Sequence, residues 1–102
     1  MDTAYFFTTF LRRKIDDNRA AAAALGRTYS FIIEGAGTWH VDLSTDPATI
    51  VEADVPGCAC WLTATKDDFE FAINNPSQII RLLLKGRIRL SDPMGFQGLM
   101  KL

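Results

Sequence analysis

Two polar side chains on one predicted strand are the clearest candidates for acid–base chemistry in this chain. His40 is the only histidine, and Asp42 lies two residues beyond it. Residues at that spacing share one face of a strand, so the imidazole and the carboxylate could pair as a base and its orienting group. No nucleophile is placed with them, and their face lies opposite the apolar face of Trp39, Val41 and Leu43. We therefore predict an exposed polar face, and a small enzyme that uses His40 and Asp42 is the weaker alternative.

The two cysteines offer sulfur chemistry, but their surroundings argue against it. Cys58 and Cys60 are two residues apart on a predicted strand, where a disulfide between them would be strained. No second pair of Cys or His completes a zinc site. Cys60 has apolar neighbours in place of the cation that would activate a nucleophilic thiol, and helix capping explains the carboxylates of Asp67 and Asp68. The sequence predicts reduced core cysteines, no metal, no cofactor and no catalytic residues.

The elements that position these residues form a simple order. Asp2 or Thr3 can cap a first helix that ends at about Leu25, before Gly26. The other predicted elements are strands Tyr29–Glu34, Thr38–Leu43, Ala48–Glu52 and Cys58–Ala64, a helix opened by Thr65, an apolar helix of about nine residues after Pro76, a strand Arg87–Ser91, and a helix that begins at Pro93. The order α-ββββ-αα-β-α predicts an α+β fold, in which helices cover one face of a single sheet.

Length and composition narrow the class of protein. A chain of 102 residues has room for one domain with one core. The apolar fraction of 48% and the charged fraction of 23% argue against disorder. No run of about 18 apolar residues could span a membrane, and the N-terminus lacks the basic region of a secretory signal, so we expect a cytoplasmic protein. The pI of about 5.7, without a recognition motif, argues against a nucleic-acid partner.

Charge is distributed unevenly along the chain. Residues 28–65 hold five acids and no Lys or Arg, whereas residues 78–102 hold five bases and one acid, a balance of −5 against +4. The bases that precede the last helix are Arg81, Lys85, Arg87 and Arg89. Such a basic strip beside an apolar segment could meet anionic headgroups of a membrane, or a carboxylate, phosphate or CoA group. A solvated outer face is the simpler interpretation.

The C-terminal third is unusually apolar. The helix after Pro76 carries aliphatic side chains on nearly every side, and a helix of that kind must be covered on both sides. We therefore expect one of those sides to be the wall of a cavity for an apolar ligand, with ordinary core packing as the alternative. The candidate ligand-binding residues are Phe31, Trp39, Leu62, Phe69, Ile73, Leu83, Leu84, Ile88, Leu90, Met94, Phe96 and Met100.

From about Gly26 to Leu102 the chain resembles the sterol carrier protein-2 (SCP-2-like) lipid-binding domain family. The resemblance is carried by an ordered set of short motifs: Tyr29-Ser30-Phe31-Ile32-Ile33-Glu34-Gly35, Trp39-His40-Val41-Asp42-Leu43, Cys60 before Asp67-Asp68-Phe69, Lys85-Gly86-Arg87-Ile88-Arg89-Leu90, Met94-Gly95 and Met100-Lys101-Leu102. The long first helix also fits the family. The set covers about three quarters of the chain.

The resemblance implies a five-stranded, mostly antiparallel sheet with helices on one side, which enclose an apolar tunnel. It implies a lipid carrier for fatty acyl chains, acyl-CoA or sterols, without catalytic residues or metal. It implies one domain over residues 1–102, with the first helix over 1–26 and the rest over 27–102. Because the chain stops at Leu102, without the tail of many relatives, one hypothesis is that a second copy covers the tunnel mouth. A module that dimerises or shields apolar substrates for a separate enzyme is the alternative function.

Overall fold

All residues from 1 to 102 are described by a computed structural model. The strands are β1 (Thr28–Glu34), β2 (Gly37–Asp42), β3 (Thr49–Glu52), β4 (Cys60–Thr65) and β5 (Ile88–Leu90). The helices are α1 (Thr3–Tyr5), a π-helical segment (Phe6–Leu11), α2 (Arg12–Asp17), α3 (Arg19–Leu25), α4 (Lys66–Asn74), a 3-10 turn (Pro76–Gln78), α5 (Ile79–Leu84) and α6 (Pro93–Met100). The element order agrees with the prediction from sequence.

The five strands form one sheet in the order β3-β2-β1-β4-β5. The central strand β1 pairs antiparallel with β2 and parallel with β4. The two outer pairs, β2 with β3 and β4 with β5, are antiparallel. The predicted five-stranded, mostly antiparallel sheet is therefore confirmed. Its one parallel pair arises because the chain passes through the β2–β3 hairpin before β4 returns beside β1.

Strand alternation gives the sheet an inner face that the helices cover. Phe31 lies opposite Trp39 on one side and Leu62 on the other, and Leu62 lies opposite Leu90. These four side chains form one apolar row across β2, β1, β4 and β5, because cross-strand partners point to the same face. Phe31 is almost fully buried. The row is the floor on which the helices pack.

The N-terminal helical segment is fixed to this floor by aromatic contacts around Phe7. The ring of Phe7 stacks on Trp39 at 4.8 Å between centroids and on the α4 residue Phe69 at 5.8 Å. It also meets Phe31 edge-to-face at 5.0 Å. Offset-stacked and edge-to-face pairs are the favoured aromatic geometries. One buried ring thus joins the first helix, the sheet and α4.

The predicted first helix is present, with a break that sequence reasoning missed. Asp2 caps it by accepting a hydrogen bond from the Tyr5 N–H, and Gly26 ends it in the left-handed conformation, as predicted. Asn18 interrupts it, with φ of −132°. Its side-chain amide donates to the carbonyl of Lys14 at 2.9 Å and to that of Leu102 at 2.8 Å. The break therefore ties the first helix to the end of the chain.

Helix α5 is covered on one side only. The expectation that both sides are covered is therefore wrong for a single copy of this chain. Leu82 is buried, and Ile79 and Leu83 are half-buried against the core. Their spacing of three and four residues forms one inward stripe. Ile80 and Leu84 lie on the opposite side, with 71% and 83% of their surface exposed. The helix thus presents two large aliphatic side chains to solvent.

Replacing Phe7 by Ala should lower the free energy of unfolding by about 3–5 kcal/mol, because a fully buried aromatic ring is lost from a packed cluster. Chemical denaturation with urea measures the change. The matched control is Tyr5→Ala, which removes a half-exposed ring from the same helical segment and should change stability by less than about 0.5 kcal/mol. Equal effects from the two variants would contradict the central role of Phe7.

Candidate functional site

An entirely apolar cavity lies between the sheet and the helices. All its lining side chains are hydrophobic: Phe6, Phe31, Leu62, Phe69, Ala72, Ile73, Ile79, Ile88, Leu90, Phe96 and Met100. The floor comes from the apolar row of the sheet, and the walls come from the N-terminal segment, α4, α5 and α6. Every layer of the fold therefore contributes to this one space.

Local periodicity explains how each helix reaches the cavity. On α4, Phe69, Ala72 and Ile73 are spaced by three and four residues and so lie on one face. On α6, Phe96 and Met100 are four residues apart and face the same space. Two capping side chains set where these helices begin. The hydroxyl of Thr65 accepts from the Asp68 N–H, and the carboxylate of Asp92 accepts from the Gly95 N–H.

The cavity is small, with a volume of about 60 Å³. Sites that hold drug-sized ligands have volumes of about 300–1,000 Å³. An extended aliphatic chain therefore fits only if lining side chains move apart, and the space is smaller than the tunnel that the family resemblance implies. The lining offers no hydrogen-bond donor or acceptor side chain. A polar headgroup inside it would lose its hydrogen bonds to water without replacement.

The cavity opens toward solvent at the ends of α4 and α6. Among the lining residues, Met100 is exposed, and Ile73, Ile79 and Leu90 are half-buried. Met100, Ile73 and Ile79 belong to the helices α6, α4 and α5, and the opening lies among them. Met100 is unbranched and flexible, which suits a side chain that can swing aside.

The first turn of α6, at the opposite end of the helix from Met100, is held firmly against the sheet. The hydroxyl of Tyr29 donates to the Gly95 carbonyl at 3.2 Å, and Arg27 forms a 2.6 Å ion pair with Asp92. The Gly95 N–H and the Arg27 guanidinium together hold the pKa of Asp92 below its ordinary range. A side chain at Gly95 would meet the sulfur of Cys60 at 2.8 Å, so only glycine allows this approach. The start of α6 is thus anchored to β1 and β4.

His40 lies on the other face of the sheet and is not exposed, which corrects the prediction of an exposed polar face. Only 9% of its surface is accessible, and its Nδ1 atom lies 3.2 Å from the sulfur of Cys58. The chain leading into β4 places Cys58 over this face. Asp42 instead accepts hydrogen bonds from Ser44, which lower the pKa of that carboxyl. A base at His40 cannot reach a substrate in the cavity, because the sheet separates them.

Cys60 also has a neighbour that sequence reasoning missed. The guanidinium of Arg27 lies 3.7 Å from its sulfur, so a cation is present after all. The sulfur is nevertheless fully buried beneath Gly95, and no substrate could approach it. Both cysteines are free thiols; Cys60 lies in the core as predicted, whereas Cys58 is only half-buried. No cluster of metal-ligating side chains is present.

Comparison with known proteins agrees with this architecture. Residues 7–102 match the family model described as the SCP-2 sterol transfer family. The chain belongs to the SCP-2 sterol transfer family. This family is known for lipid binding. No curated protein matches the chain at a significant level, and no helix has the length and apolar character needed to cross a membrane.

Several solved structures share the fold of this SCP-2 family member. One is sterol carrier protein 2 from Yarrowia lipolytica in its apo form, with TM-score 0.69, 17% identity, and coverage of 89% of this chain and 84% of that one. Another is the sterol carrier protein domain 2 of Helicoverpa armigera, with TM-score 0.72, 14% identity, and coverage of 98% and 84%. A third is the UbiJ-SCP2 ubiquinone synthesis protein, with TM-score 0.65, 17% identity, and coverage of 91% and 78%. At these identities the likeness shows the fold.

The structure brings eight of the twelve predicted ligand-binding residues to the cavity: Phe31, Leu62, Phe69, Ile73, Ile88, Leu90, Phe96 and Met100. That they contact a ligand remains a prediction. Three further lining residues were missed. Ile79 and Phe6 could have been found from the apolar patterns of their helices. Ala72 could have been found from its spacing to Phe69.

The other four predicted residues do not line the cavity. Trp39 is screened from it by the ring of Phe7. Leu83 turns toward the packed core, and Leu84 lies on the outer side of α5. Met94 is 80% exposed, because Phe96 and Leu99 set the inward face of α6 and Met94 precedes it by about half a turn. Matches to family motif positions did not distinguish these orientations.

Cys58 should react slowly with iodoacetamide at neutral pH, because burial raises the pKa of its thiol above the ordinary value of 9.0. The thiolate forms only at higher pH, so the labelling rate should keep rising beyond pH 9. Because the pKa of the Cys58 thiol is higher in the folded state than in the unfolded state, the thiol also contributes to the free energy of unfolding. This contribution is complete below the unfolded-state pKa and is lost as the pH rises through the folded-state pKa. Mass spectrometry of labelled protein measures the rate. In Cys58→Ser, the buried Cys60 should label only in urea. A half-maximal rate below pH 8.5 in the wild type would contradict the argument.

Proposed function

We propose that this chain is a non-enzymatic lipid-binding or lipid-transfer module, which holds the aliphatic part of a lipid in the apolar cavity. The observation that carries the proposal is a cavity lined only by hydrophobic side chains, which reaches the surface at one mouth. Membership of the SCP-2 sterol transfer family supports it. The location of His40 on the opposite face of the sheet argues against a cavity enzyme that uses His40 and Asp42.

The ligand class follows from the polarity of the lining. Each buried CH₂ of a ligand is worth about 0.8 kcal/mol, so hydrocarbon is what this cavity can bind. A carboxylate, a CoA group or a sterol hydroxyl finds no partner inside and must stay at the mouth. Lys101 follows the mouth residue Met100 and is exposed, which places a cation near an anionic headgroup. A fatty acyl chain or acyl-CoA is therefore favoured over a sterol.

Binding requires the cavity to expand from its small volume. Met100 is the flexible, unbranched side chain at the mouth, whereas the backbone of α6 packs closely at Gly95 and Gly98. The Met100 side chain is therefore the part of the wall that moves most easily. We propose that an entering chain displaces Met100 and separates it from Ile79 and Ile73.

We also infer that residues 1–102 form one SCP-2-like domain, with the N-terminal helix over residues 1–26 and the sheet and later helices over 27–102. The support is a single sheet and a single buried cluster that includes Phe7. The radius of gyration, 12.5 Å, is close to the roughly 13 Å expected for a folded domain of this length.

A second candidate function is a module that shields or presents an apolar substrate for a separate enzyme. The observation that favours it is the exposed part of the outer face of the sheet, where Ile32, Val51 and Trp61 are each about half-exposed. Such a face could bind an enzyme or a second copy of this chain. One protein of similar fold, UbiJ-SCP2, is a ubiquinone synthesis protein. In this candidate, the cavity protects the substrate and the sheet face makes the complex.

Replacing Ala72 by Leu should weaken binding of a fluorescent fatty acid such as cis-parinaric acid by at least about tenfold, because the added carbons fill the cavity. Titration of fluorescence measures the affinity, and circular dichroism confirms folding. The matched control is Ala20→Leu, which makes the same change at an exposed alanine of α3 and should bind as the wild type does.

Two results would overturn the lipid-binding proposal. One is an Ala72→Leu variant that binds with unchanged affinity, since the cavity would then not be the site. The other is wild-type protein that neither takes up added fatty acid nor releases a lipid when organic extracts are analysed by mass spectrometry.

If the outer face of the sheet binds a second copy of this chain, the protein should self-associate through that face. Sedimentation velocity at high micromolar concentration should then detect a dimer, and Trp61→Glu should convert it to monomer by placing a charge at the interface. Phe71→Glu is the control, because it changes a similarly exposed ring on α4. A wild-type protein that stays monomeric contradicts the dimer.

A further inference from the structure

We propose that the outer side of helix α5 docks the protein on an anionic phospholipid bilayer, with Ile80 and Leu84 inserted among the headgroups and Arg81 and Lys85 paired with lipid phosphates. The cargo exchange that this docking would serve rests on the proposed lipid-binding function. The docking itself rests on the exposure and charge of α5.

The two exposed aliphatic side chains are placed to insert together. Ile80 and Leu84 are four residues apart, so they are neighbours on one helical face. Their exposed fractions are among the largest of the apolar residues in this chain. Single exposed apolar residues are common on soluble proteins. Two adjacent ones beside basic residues are the pattern of a helix that lies in a membrane interface.

The neighbouring cations are available to an anionic partner. Arg81 in α5 and Lys85 at its C-cap form the adjacent i, i+4 pair, and neither has an ion-pair partner. The groove beside them also contains Asp67, Asp68 and Arg87. Arg87 pairs with Asp68 at 3.1 Å, which leaves Asp67 as the one carboxylate facing two free cations. The surface therefore keeps a net positive charge.

The basic residues predicted to contact a membrane do not form one strip. Arg89 lies on β5 opposite Thr63, on the outer face of the sheet, away from the helices. Arg87 is committed to Asp68. The docking surface is therefore narrower than the four-residue strip of Arg81, Lys85, Arg87 and Arg89, and it consists of α5 alone.

Charge separation across the sheet would orient the molecule for this contact. The acid-rich residues 28–65 include β3, which lies at the opposite edge of the sheet from β5. Helix α5 comes just before β5 and carries bases. An anionic surface attracts the basic side and repels the acidic edge. The whole molecule is thereby turned so that α5 faces the bilayer.

The docking surface adjoins the mouth of the cavity. Ile79, which lines the cavity, is the residue next to Ile80 in the same helix. A bilayer that receives Ile80 and Leu84 therefore lies close to the opening bounded by Ile79, Ile73 and Met100. A hydrocarbon chain could pass between membrane and cavity with little exposure to water.

Flotation of the full chain with phospholipid vesicles tests the proposal. Binding to phosphatidylcholine vesicles that contain about 30% phosphatidylglycerol should exceed binding to pure phosphatidylcholine at least tenfold. It should fall steeply between about 0.1 and 1 M NaCl, because screening shortens the reach of the charges. Equal binding to both kinds of vesicle, or no binding to either, would overturn the proposal.

Variants locate the contact on α5. Leu84→Ala should weaken binding to the anionic vesicles about tenfold, and Arg81→Ala with Lys85→Ala should weaken it about 25-fold, at roughly fivefold for each cation lost. Met94→Ala is the matched control, because it truncates a similarly exposed apolar side chain beside the acidic Asp92 and should bind as the wild type does. A loss of vesicle binding in Met94→Ala equal to that in Leu84→Ala would overturn the assignment to α5.

Fatty-acid titration of the same proteins in solution separates this proposal from the cargo function. Leu84→Ala should keep wild-type affinity for cis-parinaric acid, since Leu84 does not line the cavity. Wild-type protein that binds vesicles but no fatty acid would refute the cargo function and leave the docking intact. Protein that binds fatty acid but no vesicles would refute the docking and leave the cargo function intact. A dimer that hides α5 would also refute the docking and not the cargo function.

Discussion

The burial of Phe7 among Trp39, Phe31 and Phe69 is the interaction on which the rest of the structure depends. The ring joins three layers, and its stacking on Trp39 fills the part of the interior above β2. Above β4 and β5, the N-terminal segment contributes only the ring of Phe6, which lines the cavity. Packing is therefore solid on one side of the central strand and incomplete on the other. The position of the cavity follows from this asymmetry.

The apolar lining of the incompletely packed side limits which ligands the protein can bind. A wall made only of hydrocarbon gains free energy by excluding water, and it distinguishes ligands by length and shape. Specificity for a headgroup must then come from residues outside the cavity. The two faces of the sheet have correspondingly different characters. One covers the apolar space, and the other holds the polar pair His40 and Cys58, out of reach of any cargo.

Local signals allowed much of the fold to be predicted from sequence. Thr65, Asp92 and Gly26 act within one turn of their helices, and strand alternation needs only neighbouring residues. The same reasoning could not determine which side of α5 is covered, because a helix that is apolar all round has no periodicity to select a face. It also could not place the segment before β4 over His40, since that contact joins distant parts of the chain. The size of the cavity depends on how rings such as Phe7 pack, which no short motif encodes.

Asn18 connects two parts of the protein that its sequence separates widely. Its amide spans the carbonyl of Lys14, in the first helix, and that of Leu102, at the end of the chain. Leu102 follows α6, whose last turn carries the mouth residue Met100. Any outward swing of that turn must lengthen or break the Asn18–Leu102 hydrogen bond. The interruption at Asn18 therefore restrains the last turn of α6, and with it the opening beside Met100.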